Sequence, residues 1–206
     1  MTGFDAALLA GGRSTRMGRD KALLECGGRP LWIVQAAKLA ALGPRRLLIA
    51  SRTEQRLDLE SVREVSPGET VFVADPPGDE DGPLGAITRC LRLVSGPLLV
   101  LAVDMPAMTA GFMRERLLSR VSEGRSRVFR GPHGFEALAA VYGRSALPFF
   151  EAALAGRHLA LQPVLGQITD AGLCEVEPFH DADEALFANV NTPEEAVRLA
   201  RGPLLP

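Results

Sequence analysis

Four short, continuous apolar runs, at residues 6–10, 46–50, 70–74 and 97–103, alternate with segments whose apolar residues recur at helical spacing. Unbroken apolar runs of strand length mark strands buried on both faces. The intervening segments, 30–42, the shorter 54–62 and 83–94, read as helices. This order predicts βαβ crossovers and an α/β architecture of three layers around a mainly parallel sheet, whose ligands bind beyond the C-terminal strand ends. The 206 residues fit one domain spanning 1–206, without repeat, low-complexity stretch or linker. The second half is less regular: 111–121 and 145–155 read as helical, 128–130 and 136–142 as extended. A final helix is expected from Thr192, an N-cap followed by Pro193 and then by Glu195 at the third helical position, to about residue 200, with 202–206 as a tail.

The first apolar run leads into Leu9-Ala10-Gly11-Gly12-Arg13-Ser14-Thr15-Arg16-Met17-Gly18-Arg19-Asp20-Lys21. Gly11, Gly12 and Gly18 let backbone N–H groups approach a polyphosphate closely. Three arginines and Lys21 face only Asp20, in a chain of formal net charge −2, so the positive charge is local. The P-loop and the Rossmann fingerprint both fail on spacing: Gly18 is followed by Arg19-Asp20-Lys21-Ala22, and Gly11-Gly12-Arg13 breaks the first Gly-x-Gly. The bland reading is a glycine turn with solvated arginines. The segment resembles the nucleotidyltransferase signature, matched at Leu9 to Gly12, Arg16 to Gly18, Asp20 and Lys21.

Other function classes are excluded on composition. Cys26, Cys90 and Cys174 lie far apart with no Cys-x-x-Cys pair, which encodes neither a zinc site nor a disulfide framework and suits buried thiols in a reducing compartment. No basic n-region opens the chain and no apolar stretch approaches the roughly 20 residues that cross a bilayer, so a soluble cytoplasmic protein without membrane partner is expected. Negative net charge and 5% aromatics leave no basic stripe or stacking platform for nucleic acid.

Two further segments carry candidate chemistry. Asp104 ends the fourth apolar run and is followed by Met105-Pro106; a carboxylate there suits Mg²⁺, or caps the turn. Asn189 and Asn191, two apart on an extended segment, point the same way as neutral donors and acceptors, or Asn191 helps Thr192 start the helix. His133, His158 and His180 sit outside these clusters as surface or hydrogen-bonded residues, and Trp32 and Phe149-Phe150 as core.

Taken with Gly82-Pro83-Leu84 and Asn189-Val190-Asn191-Thr192-Pro193-Glu194, the glycine signature and Asp104-Met105-Pro106 resemble the molybdenum cofactor guanylyltransferase family, over residues 5 to about 200. The resemblance implies a Rossmann-like sandwich and transfer of GMP from GTP to the terminal phosphate of molybdopterin, with release of pyrophosphate. It implies nucleotide contacts at Leu9, Ala10, Gly11, Gly12, Asp75 and Gly82-Pro83-Leu84, phosphate contacts at Lys21, Mg²⁺ and nucleotide at Asp104, and acceptor contacts at Asn189 and Asn191. Lys21, Arg16 and Asp104 are then the catalytic set, and hand-over of the product implies passing contacts with cofactor-biosynthesis proteins or apo-molybdoenzymes. Arg13 and Arg19 can assist or stay solvated, and Arg157-His158 can face the pterin phosphate. Ile49-Ala50-Ser51-Arg52 departs from a family asparagine after the second strand, and Asp79-Glu80-Asp81 is unusually acidic, as a solvated loop tip would be. The rivals are a nucleotidyltransferase with another base or acceptor, cytidine or a sugar or alcohol phosphate, and a non-catalytic nucleotide or pterin carrier. Lys21 and Asp104 together favour an enzyme, because binding alone does not require a metal carboxylate.

Overall fold

The computed structural model describes residues 3–12, 20–55, 57–76, 78, 80–119, 124–178, 180–190 and 195. In chain order the first half runs β1 (Asp5–Leu9), a small antiparallel ribbon of β2 (Glu25–Cys26) and β3 (Arg29–Pro30), α1 (Leu31–Ala40), β4 (Arg46–Arg52), α2 (Leu59–Val65), β5 (Glu69–Asp75), α3 (Gly82–Leu93) and β6 (Leu98–Ala102). The second half adds α4 (Ala110–Phe112), β7 (Ser126–Gly131), β8 (Gly134–Phe135), β9 (Ala139–Tyr142), α5 (Leu147–Ala155), α6 (Leu161–Asp170) and β10 (Cys174–Pro178).

The main sheet has the order β10-β7-β9-β6-β1-β4-β5, with β8 hairpinned onto β7. β9 is antiparallel to both of its neighbours and the other pairings along this path are parallel, so the mainly parallel expectation holds. From β1 the chain winds outward through β4 and β5, then returns to place β6 on the other side of β1. Because right-handed crossovers in opposite directions put their helices on opposite faces, α1 and α2 cover one face and α3 the other. Strand alternation splits the core accordingly. Ala6, Leu8, Leu47, Ile49, Leu99 and Leu101 pack with Trp32 and Leu39 of α1. Ala7, Leu9, Leu48, Leu98 and Val100 pack with Ile87 and Leu91 of α3, Phe150 of α5 and Ile168 of α6.

Several local expectations need correction. The helix expected over 54–62 is a single tight turn, Thr53–Gln55, followed by α2, because Asp58 caps the helix by accepting from Glu60 N–H at 3.0 Å. The helix expected over 111–121 starts as α4 and continues as a π-helix over Met113–Leu118, with Ser119 N–H donating to the Arg114 carbonyl at 2.9 Å. The extended segment 136–142 narrows to β9, and 145–155 opens with a tight turn, Arg144–Ala146, before α5. Sequence reasoning missed α6 and β10. α6 carries Pro163 and Gly166, which blur its helical signal. β10 alternates apolar and charged residues, as an edge strand does, and Glu175 and Glu177 both bond Arg127 of β7. The final helix and tail, 192–206, lie outside the described residues except Glu195.

Trp32 and Phe150 are buried as expected, Phe149 is half-buried, and the three histidines are exposed. No helix among the described residues is long and apolar enough to cross a membrane. Cys26, Cys90 and Cys174 are free and buried. Burial pushes all three thiols up, Cys90 to about 12. A thiol held neutral and inside the core is a poor nucleophile, so alkylating reagent at pH 8 is expected to label none of them in the native protein and all three after unfolding. Mass spectrometry reads the result; fast native labelling of Cys90 would mean that α3 does not pack on the sheet as described.

Candidate active site

β1 and β6 end level, Leu9 opposite Ala102, while β4 runs past Ala50, the partner of Leu9 on the other side, to Arg52. Beyond these ends, where the winding direction reverses, opens a cleft of about 630 Å³. Its lining includes Leu9, Ala10, Gly11, Gly12, Asp20 and Lys21 from the first loop, Arg52 and Glu54 from the second, Asp75, Gly82 and Pro83 from the third, and Asp104 from the fourth.

The first loop leaves the sheet tightly, with Ala10 and Gly11 N–H both donating to the Ala50 carbonyl at 2.8 and 2.9 Å. A Cβ on Gly11 would lie 2.5 Å from Asp75 Oδ2, so any side chain here forces the Asp75 carboxylate to move. Gly12 has φ +117, a conformation that side chains rarely adopt. Where the chain re-enters the described residues, Asp20 caps the turn Lys21–Leu23 by accepting from Ala22 N–H at 3.0 Å. Its other oxygen accepts from Arg52 at 2.7 Å, and Gln55 bridges the Ala10 carbonyl at 2.8 Å and Asp20 at 3.1 Å. Arg52 and Gln55 were not among the expected site residues; Gln55 lies in the segment misread as part of a helix. They lock the two ends of the glycine loop to β4.

That cap aims Lys21 across the cleft at Asp104, Nζ to Oδ2 2.9 Å, with both side chains about one-fifth exposed. Asp104 Oδ1 has no protein partner among the described residues. At the side wall Asp75 accepts from Arg89 of α3 at 2.5 Å. Gly82, φ +58, precedes Pro83 at the start of α3. Leu84 does not line the cleft: its side chain is fully buried in the core, and Ala86 is the α3 residue beyond Pro83 that reaches the cleft. Asn189 is exposed and does not line the cleft, and the neighbouring Val190 N–H donates to the Asp104 carbonyl at 2.8 Å, which ties this segment to the Asp104 turn. Arg13, Arg16, Arg19 and Asn191 lie outside the described residues.

The acidic loop is more than a solvated tip, since Glu80 lines the cleft and Asp81 pairs with Arg157 at 2.5 Å. Arg157, with φ +57, therefore stands at the N-terminal end of α3, whereas His158 borders a separate shallow groove beside α6. Among the described residues no three His, Cys, Asp or Glu side chains group to hold a metal ion. One free carboxylate oxygen in the lining of the cleft still fits Mg²⁺, which takes one or two carboxylates and fills its octahedron with phosphate and water.

Comparison with known proteins places the chain among the nucleotidyltransferases. It belongs to the family of the MobA-like NTP transferase domain, whose model matches residues 6–170. The relatives narrow this to the molybdenum cofactor guanylyltransferases. A protein of Opitutus terrae named "Probable molybdenum cofactor guanylyltransferase" is 33% identical over 199 residues, covering 95% of this chain and 94% of its own. The molybdenum cofactor guanylyltransferase of Syntrophotalea carbinolica is 32% identical over 193 residues, covering 92% and 87%. The fold is shared with the crystal structure of molybdopterin-guanine dinucleotide biosynthesis protein A from Archaeoglobus fulgidus, TM-score 0.71 at 20% identity, over 96% of this chain and 97% of that one.

The gap between Gly11 and Asp75 makes a direct prediction. Gly11→Ala is expected to lose about 1–3 kcal/mol of stability from overpacking and to weaken GTP binding, because the new methyl displaces the Asp75 carboxylate. Calorimetric titration and thermal melting check it; unchanged GTP affinity would mean that the close approach serves packing alone.

Proposed function

We propose that the protein transfers GMP from GTP to the terminal phosphate of molybdopterin and releases pyrophosphate. The observation that carries this reading is the Lys21–Asp104 pair, a cation and a carboxylate fixed 2.9 Å apart in the lining of a cleft walled by Gly11, Gly12 and Gly82. The names of the relatives supply the two substrates. We read the protein as cytoplasmic, consistent with its three free thiols.

The acceptor phosphate is ionised at neutral pH, so no side chain has to generate a nucleophile. A phosphate oxygen forms a bond to the α-phosphorus of GTP, the bond from that phosphorus to the bridging oxygen breaks, and pyrophosphate leaves with the electron pair. The difficulty is electrostatic, two anions brought together and charge gathering on the leaving group. Lys21 meets this charge directly. Gly11 and Gly12 bring backbone to within reach of the phosphates, and Asn189 stands on the acceptor side. Asp104 is the residue to hold Mg²⁺, through the oxygen that Lys21 leaves free. When bound, that ion neutralises phosphate charge and polarises the phosphoryl oxygens. Arg16 and Asn191 belong to the same scheme, as second cation and second acceptor contact. On the base side, Asp75 offers carboxylate oxygens to the N–H groups of guanine, beside the backbone of Gly82 and Pro83.

Three outcomes are expected. Lys21→Ala lowers turnover by about 10²-fold or more, since a preorganised donor at a developing charge contributes roughly 3 kcal/mol; undiminished pyrophosphate release by the folded variant would remove Lys21 from the mechanism. Asp104→Asn loses most activity and regains part of it at high Mg²⁺; a metal response identical to the parent's would leave Asp104 as a turn residue. With molybdopterin as acceptor, GTP is used at least about 10²-fold more efficiently than CTP or UTP, because a pyrimidine leaves buried polar groups unpaired. A pyrophosphate-release assay across four nucleotides decides it, and preference for CTP would move the chain to cytidylyl transfer.

A further inference from the structure

α1 is an apolar helix packed against the sheet, yet its buried face carries an amide. Gln35 is fully buried. Its Nε2 is aimed at three carbonyls of the segment that ends β6: Met105 at 2.8 Å, Val103 at 3.4 Å and Ala102 at 3.5 Å. Its Oε1 has no partner among the described residues. A buried amide oxygen without a donor is destabilising, and a methionine would fill the same volume without that defect. What the glutamine adds is its donor. One turn later Lys38 reaches the next carbonyl, Nζ to Pro106 O 2.5 Å. The Val190 N–H holds the Asp104 carbonyl from another side.

The same helix anchors the other half of the pair. Leu31 N–H, at the start of α1, donates to the Leu24 carbonyl at 2.7 Å, and Leu24 N–H closes the turn on the Lys21 carbonyl at 3.2 Å. α1 is thus hydrogen-bonded at one end to the turn that presents Lys21 and along its length to the turn that presents Asp104. We propose that Gln35 and Lys38 are positioning residues that set the Asp104 carboxylate against Lys21 and the metal, by fixing the backbone at Met105 and Pro106. This rests on the role given to Asp104 above.

The test compares Gln35→Met, Lys38→Met and Asp104→Asn with the parent, using Mn²⁺ as a paramagnetic stand-in for Mg²⁺. Electron paramagnetic resonance follows Mn²⁺ binding to the GTP-saturated protein, alongside thermal melting and the KM for GTP. Residues that orient a metal ligand typically change metal affinity by 10–100-fold. Gln35→Met is expected to weaken Mn²⁺ binding about tenfold, and Lys38→Met to weaken it less, with the KM for GTP and the melting temperature close to the parent's. If both variants bind Mn²⁺ as the parent does while Asp104→Asn loses it, the positioning role is overturned and Asp104 keeps its own. If Asp104→Asn also binds Mn²⁺ normally, the metal role fails and the positioning role with it. Should Gln35→Met not fold, the half-buried Lys38→Met decides alone.

Discussion

The cleft depends on β1 lying between β4 and β6 in parallel register. Leu9 is opposite Ala50 on one side and Ala102 on the other, so the first and fourth loops leave the sheet at the same height, with β4 continuing beside them to Arg52. Backbone hydrogen bonds extend the alignment past the strand ends, from Ala10 and Gly11 to Ala50 and from Val103 to Leu9. A slip of one residue would turn Ala6 and Leu8 toward the opposite core, a change both helical layers oppose. Core packing on two faces thereby fixes, at the sheet edge, how far Lys21 stands from Asp104.

Around the cleft three carboxylates are matched to cations: Asp20 to Arg52, Asp75 to Arg89, Asp104 to Lys21. In pairs this far from solvent, the cost of desolvating both groups offsets much of their attraction. Their value is geometric, since each holds one loop against a neighbouring element. Asp75 is held by Arg89 of α3, outside the cleft lining, and Asp20, whose other oxygen caps the Lys21–Leu23 turn, by Arg52 of β4; the Lys21–Asp104 pair faces the cleft with no such cap among the described residues. The first two pairs are struts. In the function proposed, the third is the one an entering triphosphate opens, as its charge competes for Lys21.

Much of this site is written in short range. Gly11, Gly12, Lys21 and Asp104 stood out because glycine beside cations, and a carboxylate ending an apolar run, carry their meaning within a few residues. Arg52, Gln55, Arg89 and Gln35 gave no such signal. Their partners lie 32, 45, 14 and 70 residues away, and an arginine or glutamine on a helix reads alone as surface or as nothing. Leu84 shows the converse, where motif adjacency to Gly82 and Pro83 implied a wall residue and helical rotation carried the side chain into the core.

By itself, the sequence determined the alternation of strands and helices, the mainly parallel sheet and the glycine loop at the end of β1, because apolar periodicity and glycine placement act locally. Tertiary structure decided the rest: β6 returning beside β1, β9 running against its neighbours, β10 closing the edge through Arg127, and α1 reaching both Lys21 and Asp104. Those features are agreements between segments far apart in the chain. Only burial on both faces of one sheet brings such segments close enough for a hydrogen bond to select among them.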